Sequence, residues 1–290
     1  MEMQGVILKE DARYPSLLKK ISKDAPLQLY YKGEWDEQIF ENCLAVVGSR
    51  QMTSYGKRVV ERVVTGVASA GITIVSGFMY GVDATAHKMA LLAGGRTIAV
   101  MPCGIDLIHP EYQLDLYTEI LKNKGLIISE YEGKTQPVTW TYPRRNRIVA
   151  GLSPATLVVE AGEKSGSLIT ANLARKFKRK IFSVPGPIFS ETAKGTNQLI
   201  KTGAEMVFSE KDILNFYKIP CFNFEEKKTI INNSGSILEK QIMEYLQREP
   251  LEIDILSRFL GIPSSKLGAN LSLMEMKGLI EQDNGKYYLC

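Results

Sequence analysis

From Leu44 onward the chain alternates between short, nearly all-apolar runs and longer segments whose apolar residues recur at helical spacing. The runs lie at 44–47, 72–75, 97–100, 126–128, 155–159 and 181–184, and most are rich in Val, Ile and Thr. Strands buried on both faces of a parallel sheet read in this way. The intervening segments 57–70, 83–93, 111–122 and 167–177 carry the helical period. Strand–helix alternation on this scale predicts an α/β fold, an extended Rossmann-like doubly wound parallel sheet. Residues 1–40 contain no long periodic element. They are expected to form a preface, with a short helix start at Tyr14-Pro15-Ser16 and an extended segment at 26–33.

The alternation fades after Phe216. Residues 218–236, with Pro220, a Glu-Glu-Lys-Lys run and Asn232-Asn233-Ser234-Gly235, have the composition of a linker. Beyond it the pattern predicts amphipathic helices over 237–246, 253–259 and 264–276, then a hairpin turning at Asn284-Gly285. Three helices and a hairpin outline a small C-terminal winged helix-turn-helix domain. The predicted division is therefore a preface at 1–40, a Rossmann-like domain at 41–217, a linker at 218–236 and a winged helix at 237–290.

Composition narrows the function classes. The 290 residues are 44% hydrophobic and 23% charged, which is ordinary for a globular chain. No apolar run approaches the roughly 20 residues a membrane helix needs, and the N-terminus has no signal-peptide core. Cys43, Cys103, Cys221 and Cys290 are widely spaced without a CxxC pair, which fits reduced thiols in a cytosol and no zinc site. Two histidines, His87 and His109, leave little material for a metal centre or a catalytic triad.

Charge distribution says more than its total of +4. Residues 142–180 hold nine Lys or Arg against Glu160 and Glu163, a local +7 on a chain whose remainder sums to −3. Such a concentration suits a polyanion-binding surface; a lysine-rich solvated face is the alternative. The C-terminal 237–290 segment is net −2, and its third helix carries only Lys266 and Glu275. That balance suits partner binding or support better than independent DNA docking.

The candidate chemistry lies in turns after strands and, at 142–148, in a loop just before the run at 155–159. Gly48-Ser49-Arg50 follows the first run and precedes a helix, offering backbone N–H groups, a helix N-terminus and a guanidinium fork to an anion. Ser76 to Asp83 follows the second run but lacks the dinucleotide pattern GxGxxG. Asp83 and His87, four apart, are read as a helix-bracing pair before an acid–base pair. Tyr142, Arg144, Arg145, Asn146 and Arg147 combine phosphate forks with a stacking ring, the combination single-stranded nucleic acid uses. One or two of these arginines pairing internally is the alternative. Lys164, Ser165, Gly166 and Ser167 form a small-residue anion cradle at a helix start without Walker A spacing. Lys176 lies in the same basic segment.

Taken in order, Val47-Gly48-Ser49-Arg50, Ser76-Gly77-x-x-x-Gly81-Val82-Asp83-x-x-Ala86-His87, Ser129-Glu130-Tyr131, Arg145-Asn146-Arg147-Ile148, Lys164-Ser165-Gly166-Ser167 and Gly195-Thr196-Asn197-x-Leu199-Ile200-x-x-Gly203-Ala204 resemble the DprA/Smf family of DNA-processing proteins. The resemblance covers about 14–289. It implies a dimeric protein without catalysis or cofactor that binds single-stranded DNA cooperatively and helps load RecA in natural transformation. It places Arg50, Arg144, Arg145 and Arg147 at the DNA. Many members carry a sterile-alpha-motif-like N-terminal domain; the preface here is at most its reduced helical remnant. His109 stands where a tyrosine is usual. Gln198, Ile200, Met206 and Val207, near the last strand–helix unit, are the candidate dimer surface. Two readings compete: a nucleotide-acting enzyme of the phosphoribohydrolase type, whose Pro-Gly-Gly-x-Gly-Thr-x-x-Glu pattern is missing from 162–170, and a winged-helix transcription factor, which the acidic C-terminal segment disfavours.

Overall fold

The computed structural model describes residues 3–220 and 236–289. They fall into two compact units that divide between Cys221 and Phe222. Apart from its two ends, the linker expected over 218–236 lies outside the described residues.

The first unit begins with β1 (Gln4–Leu8), α1 (Ser16–Lys19), β2 (Gln28–Lys32) and β3 (Cys43–Val47). It continues through α2 (Ser54–Ser69), β4 (Thr73–Ser76), α3 (Val82–Leu92), β5 (Thr97–Val100), α4 (Leu114–Lys122) and β6 (Leu126–Ser129). Then follow α5 (Thr141–Leu152), β7 (Ala155–Val158), α6 (Gly166–Lys176), β8 (Lys180–Ser183), α7 (Lys194–Lys201), β9 (Glu205–Met206) and α8 (Glu210–Tyr217).

These strands form one sheet in the order β1-β2-β6-β5-β4-β3-β7-β8-β9. All neighbours from β6 to β9 are parallel. β3 to β7 are buried throughout, as their apolar runs require. α2, α3 and α8 cover one face around Val63, Val67, Ala86 and Ile213. α5 and α6 cover the other around Ile148, Val149, Ala171 and Ala174, joined by Leu18 and Ile21 of the N-terminal segment.

That segment, expected as a preface at 1–40, joins the sheet. β1 pairs antiparallel with β2, and β2 pairs antiparallel with β6, with Tyr30 opposite Ser129. Ile7, Leu18 and Leu29 are fully buried in the main core. The chain thus uses its first residues to cover the β6 edge, which would otherwise expose unpaired backbone groups.

A second difference concerns 141–152, which the motif reading treats as a loop before a strand. It is a helix, α5, with Pro143 in its first turn, where a missing N–H costs nothing. The second unit consists of α9 (Ile237–Arg248), β10 (Leu251–Glu252), α10 (Ile253–Leu260), α11 (Ser264–Met276), β11 (Ile280–Asp283) and β12 (Lys286–Leu289). Its strands run in the order β10-β12-β11, and its helices close on Leu256, Leu267, Leu271 and Met274. The hairpin turns through Asn284 and Gly285, both at positive φ, as a tight two-residue connection demands. This is a winged helix.

Candidate functional site

The chain moves one way across the sheet from β3 to β6 and the other way from β7 to β9. The loops after β3 and β7 therefore part, and the carboxyl edge opens into a crevice between them. An open cleft of about 700 Å³ occupies this switch point.

Gly48, Ser49 and Arg50 form one wall. The Gln51 N–H donates to Ser49 Oγ at 3.0 Å, fixing the turn. Behind it lies the β4–α3 loop, where Gly81 has φ +79° and a Cβ would sit 2.4 Å from the Ser49 carbonyl oxygen. Only glycine allows that approach. It leaves the exposed Arg50 guanidinium over two rings, 5.4 Å from the centroid of Tyr142 and 5.8 Å from that of Tyr80. These are cation–π distances, and among the described residues no carboxylate forms an ion pair with Arg50. Tyr142 is held from behind, its hydroxyl 2.8 Å from His109 Nε2. Burial and the neighbouring Arg50 charge both hold the His109 pKa below its ordinary value, favouring the neutral ring.

The opposite wall is the start of α6. Ser165 caps the helix, accepting from the Ser167 N–H at 3.3 Å, and the two hydroxyls are 2.8 Å apart. Nothing lies within 4 Å of the position a Cβ on Gly166 would take, so the helix start is open at that residue, while the Ser167 and Leu168 N–H groups are taken by Ser165. Lys164 is exposed beside them. The positive end of a helix, two hydroxyls and a lysine ammonium favour an anion here.

The floor is α5. Tyr142, Arg145 and Asn146 share one helical face and all line the cleft. Arg145 is 3% exposed and donates to the carbonyl oxygens of Gly77 and Val100. Its Nε donates to Asn146 Oδ1 at 3.2 Å. A Cβ on Gly77 would lie 2.5 Å from both the Arg145 guanidinium and Asp83 Oδ2, so that glycine makes room for the pair. Burial pulls the Arg145 pKa down to about 10 and pushes the Asp83 carboxyl up, each charge partly restoring the other. Arg145 is thus a structural cation that lends positive potential to the floor.

Three predicted residues lie elsewhere. Arg144 and Arg147, three apart on the far face of α5, both pair with the nearly buried Glu130; Arg144 Nε is 2.8 Å from Glu130 Oε1. Arg144 also stacks over Trp140, 5.6 Å from its ring centroid. Lys176, at the other end of α6, pairs with Asp24 at 2.7 Å. None of the three lines the cleft. His87 is fully buried, with Nδ1 2.6 Å from Thr97 Oγ1. Among the described residues no hydrogen bond or ion pair joins it to Asp83, so the two form no acid–base pair. Sequence reasoning missed Tyr80 and His109 as parts of the site. Tyr80 sat in a turn already singled out, and only the contact with Arg50 reveals its use.

Of the residues expected at a dimer surface, Gln198 and Met206 are exposed and Ile200 is half-buried. Val207 is a correction: it is 3% exposed and packs in the core with Phe182, Val184 and Ile213.

A family model described as DNA recombination-mediator protein A matches residues 5–218, and one described as DprA winged helix domain matches residues 232–286. DNA processing protein DprA of Streptococcus pneumoniae is 41% identical over 204 residues, 70% of this chain and 71% of that protein. Protein Smf of Synechocystis is 34% identical over 96% of this chain and 78% of its own length. Among solved structures, the S. pneumoniae protein superposes with a TM-score of 0.69 at 39% identity, covering 73% of each chain. The Helicobacter pylori DNA processing protein A, whose single-stranded DNA binding mode that structure describes, gives 0.66 at 31% identity over 75% of this chain and 98% of that one.

Proposed function

Because this chain belongs to the DNA recombination-mediator protein A family, we propose that its switch-point cleft binds single-stranded DNA without catalysing a reaction on it. The observation that carries the reading is Arg50, an unpaired cation held between two tyrosine rings opposite an open helix start. The strand's phosphates would take the Arg50 fork, the positive end of α6 with its Ser165 and Ser167 hydroxyls, and Lys164. Its bases would stack on Tyr80, which is 44% exposed, and on the accessible part of Tyr142. Phosphate forks and stacking tolerate any sequence, whereas a duplex keeps its bases stacked within itself. The single-strand binding described for the H. pylori relative supports the same assignment.

The finer readings belong to the same proposal: a homodimer, acting in the cytoplasm, that protects incoming single-stranded DNA and assists RecA loading in natural transformation. No described helix is long and apolar enough to cross a membrane. The test sets oligo-dT against a duplex of equal length, and adds an assay for free base released from nucleoside monophosphates. Preferential single-strand binding with no base release is expected. Base release, or equal affinity for the duplex, overturns the reading in favour of the nucleotide-acting enzyme or a general polyanion binder.

A further inference from the structure

The most basic surface of the first unit lies at the opposite edge of the sheet from the cleft. α6 starts at the cleft and runs back along the sheet to Lys176, about 16 Å for its eleven residues. There the chain turns through 177–179 into β8 and meets the segment after α1. Arg179 Nη2 donates to the Leu17 carbonyl oxygen at 2.9 Å, and Lys176 reaches Asp24 at 2.7 Å. These two contacts bring 16–24 and 175–180 together as one surface. The two segments hold eight Lys or Arg and a single acid, Asp24, a local +7; everything else in the chain sums to −3.

Most of this charge is not neutralised within the molecule. Asp24 takes Lys176, and Glu205 takes Lys180. Among the described residues Arg175 has the neutral oxygens of Asn172 and Thr202 and no carboxylate. Lys19, Lys20, Lys23 and Lys178 are exposed and enter no ion pair among the described residues. No exposed aromatic ring accompanies them; Phe177 is half-buried against the core. Like charges are gathered here at an electrostatic cost to the free protein, which Asp24 and Glu205 offset only in part.

We propose that this edge is a second nucleic-acid contact, taking the sugar–phosphate backbone outside the cleft. Ammonium groups without stacking platforms bind phosphate as point charges and read neither base nor strandedness. The contact therefore suits either the single strand after it leaves the cleft or a flanking duplex. It rests on the proposed single-strand reading for the first of these sources and stands without it for the second.

The test uses the full chain carrying Lys19→Glu, Lys20→Glu, Lys23→Glu and Lys178→Glu, all exposed positions whose change leaves the core intact. Binding is measured against oligo-dT of about 6 and about 30 nucleotides, short and long relative to one binding cleft, and against duplex. Affinity for the short strand should be unchanged. Affinity for the long strand, the duplex or both should fall at least about tenfold, and the log–log salt slope for a strand should flatten by roughly 0.7 for each phosphate no longer neutralised. A loss on the long strand alone assigns the edge to the emerging strand, and a loss on duplex alone to flanking duplex. Unchanged affinity for both overturns the proposal. Arg50→Ala separates the two readings: it should weaken short and long strands alike. If the unsubstituted protein binds no short strand, the cleft assignment falls while the duplex comparison still decides this one.

Discussion

Replacing Arg50 by alanine separates binding from folding more cleanly than any other change at the cleft. The side chain is exposed, makes no ion pair among the described residues and lies over two tyrosine rings at 5.4 and 5.8 Å. Exposed cation–π contacts contribute about 0.5–1 kcal/mol each at most, so with two of them unfolding free energy should change by no more than about 2 kcal/mol. Losing a charged hydrogen bond to phosphate costs about 1.5–3 kcal/mol, which is roughly ten- to hundredfold in Kd. Fluorescence anisotropy of labelled oligo-dT, titrated at several salt concentrations, reads both affinity and slope. The slope should become shallower by about 0.7, the share of one phosphate on a single strand. Arg50→Lys should keep the slope and recover only part of the affinity, because an ammonium lacks the planar fork. An Arg50→Ala protein with normal affinity and an unchanged slope would refute the placement of phosphate between this guanidinium and α6.

Arg145→Met should act on folding instead: it strands Asp83 and the Gly77 and Val100 carbonyls, so chemical denaturation should show a loss of about 3–5 kcal/mol. A stable variant would show that the pair is dispensable. His87 has its pKa lowered by burial from 6.5 to about 3, so the unfolded state binds the proton first. Stability from this group is full above pH 6.5 and drains as pH falls toward 3. The gap between the wild type and His87→Phe should therefore narrow by up to about 1.4 kcal/mol per pH unit between about pH 6 and pH 4, and parallel curves would contradict the buried neutral imidazole. At the proposed dimer surface, Met206→Arg should yield a folded monomer by sedimentation, whereas Val207→Arg should unfold the domain by burying a charge among Phe182, Val184 and Ile213. A dimer that survives Met206→Arg places the interface elsewhere.

The local pattern determined the parts of this protein that have one physical solution. A strand buried on both faces must be mostly apolar, with its few polar groups small and hydrogen-bonded, so β3 to β7 stand out as short runs. A turn at the carboxyl end of such a strand that opens a helix must present backbone donors, which marked Gly48 to Arg50 and Lys164 to Ser167. The hairpin of the winged helix was fixed by Asn284-Gly285, because few other pairs accept two positive φ values in succession. Two matters were left to the tertiary structure. The pairing of β2 with β6 joins residues about a hundred positions apart, and no local pattern specifies which edge a half-buried strand will cover. The fates of the three arginines in α5 depended on the direction each faces. A helix turns by about 100° per residue, so Arg144 and Arg147 emerge together at Glu130 while Arg145 turns toward Gly77 and Asp83. Their charge was evident in the chain; whether it met solvent, a carboxylate or a backbone carbonyl was decided by what packed against each face.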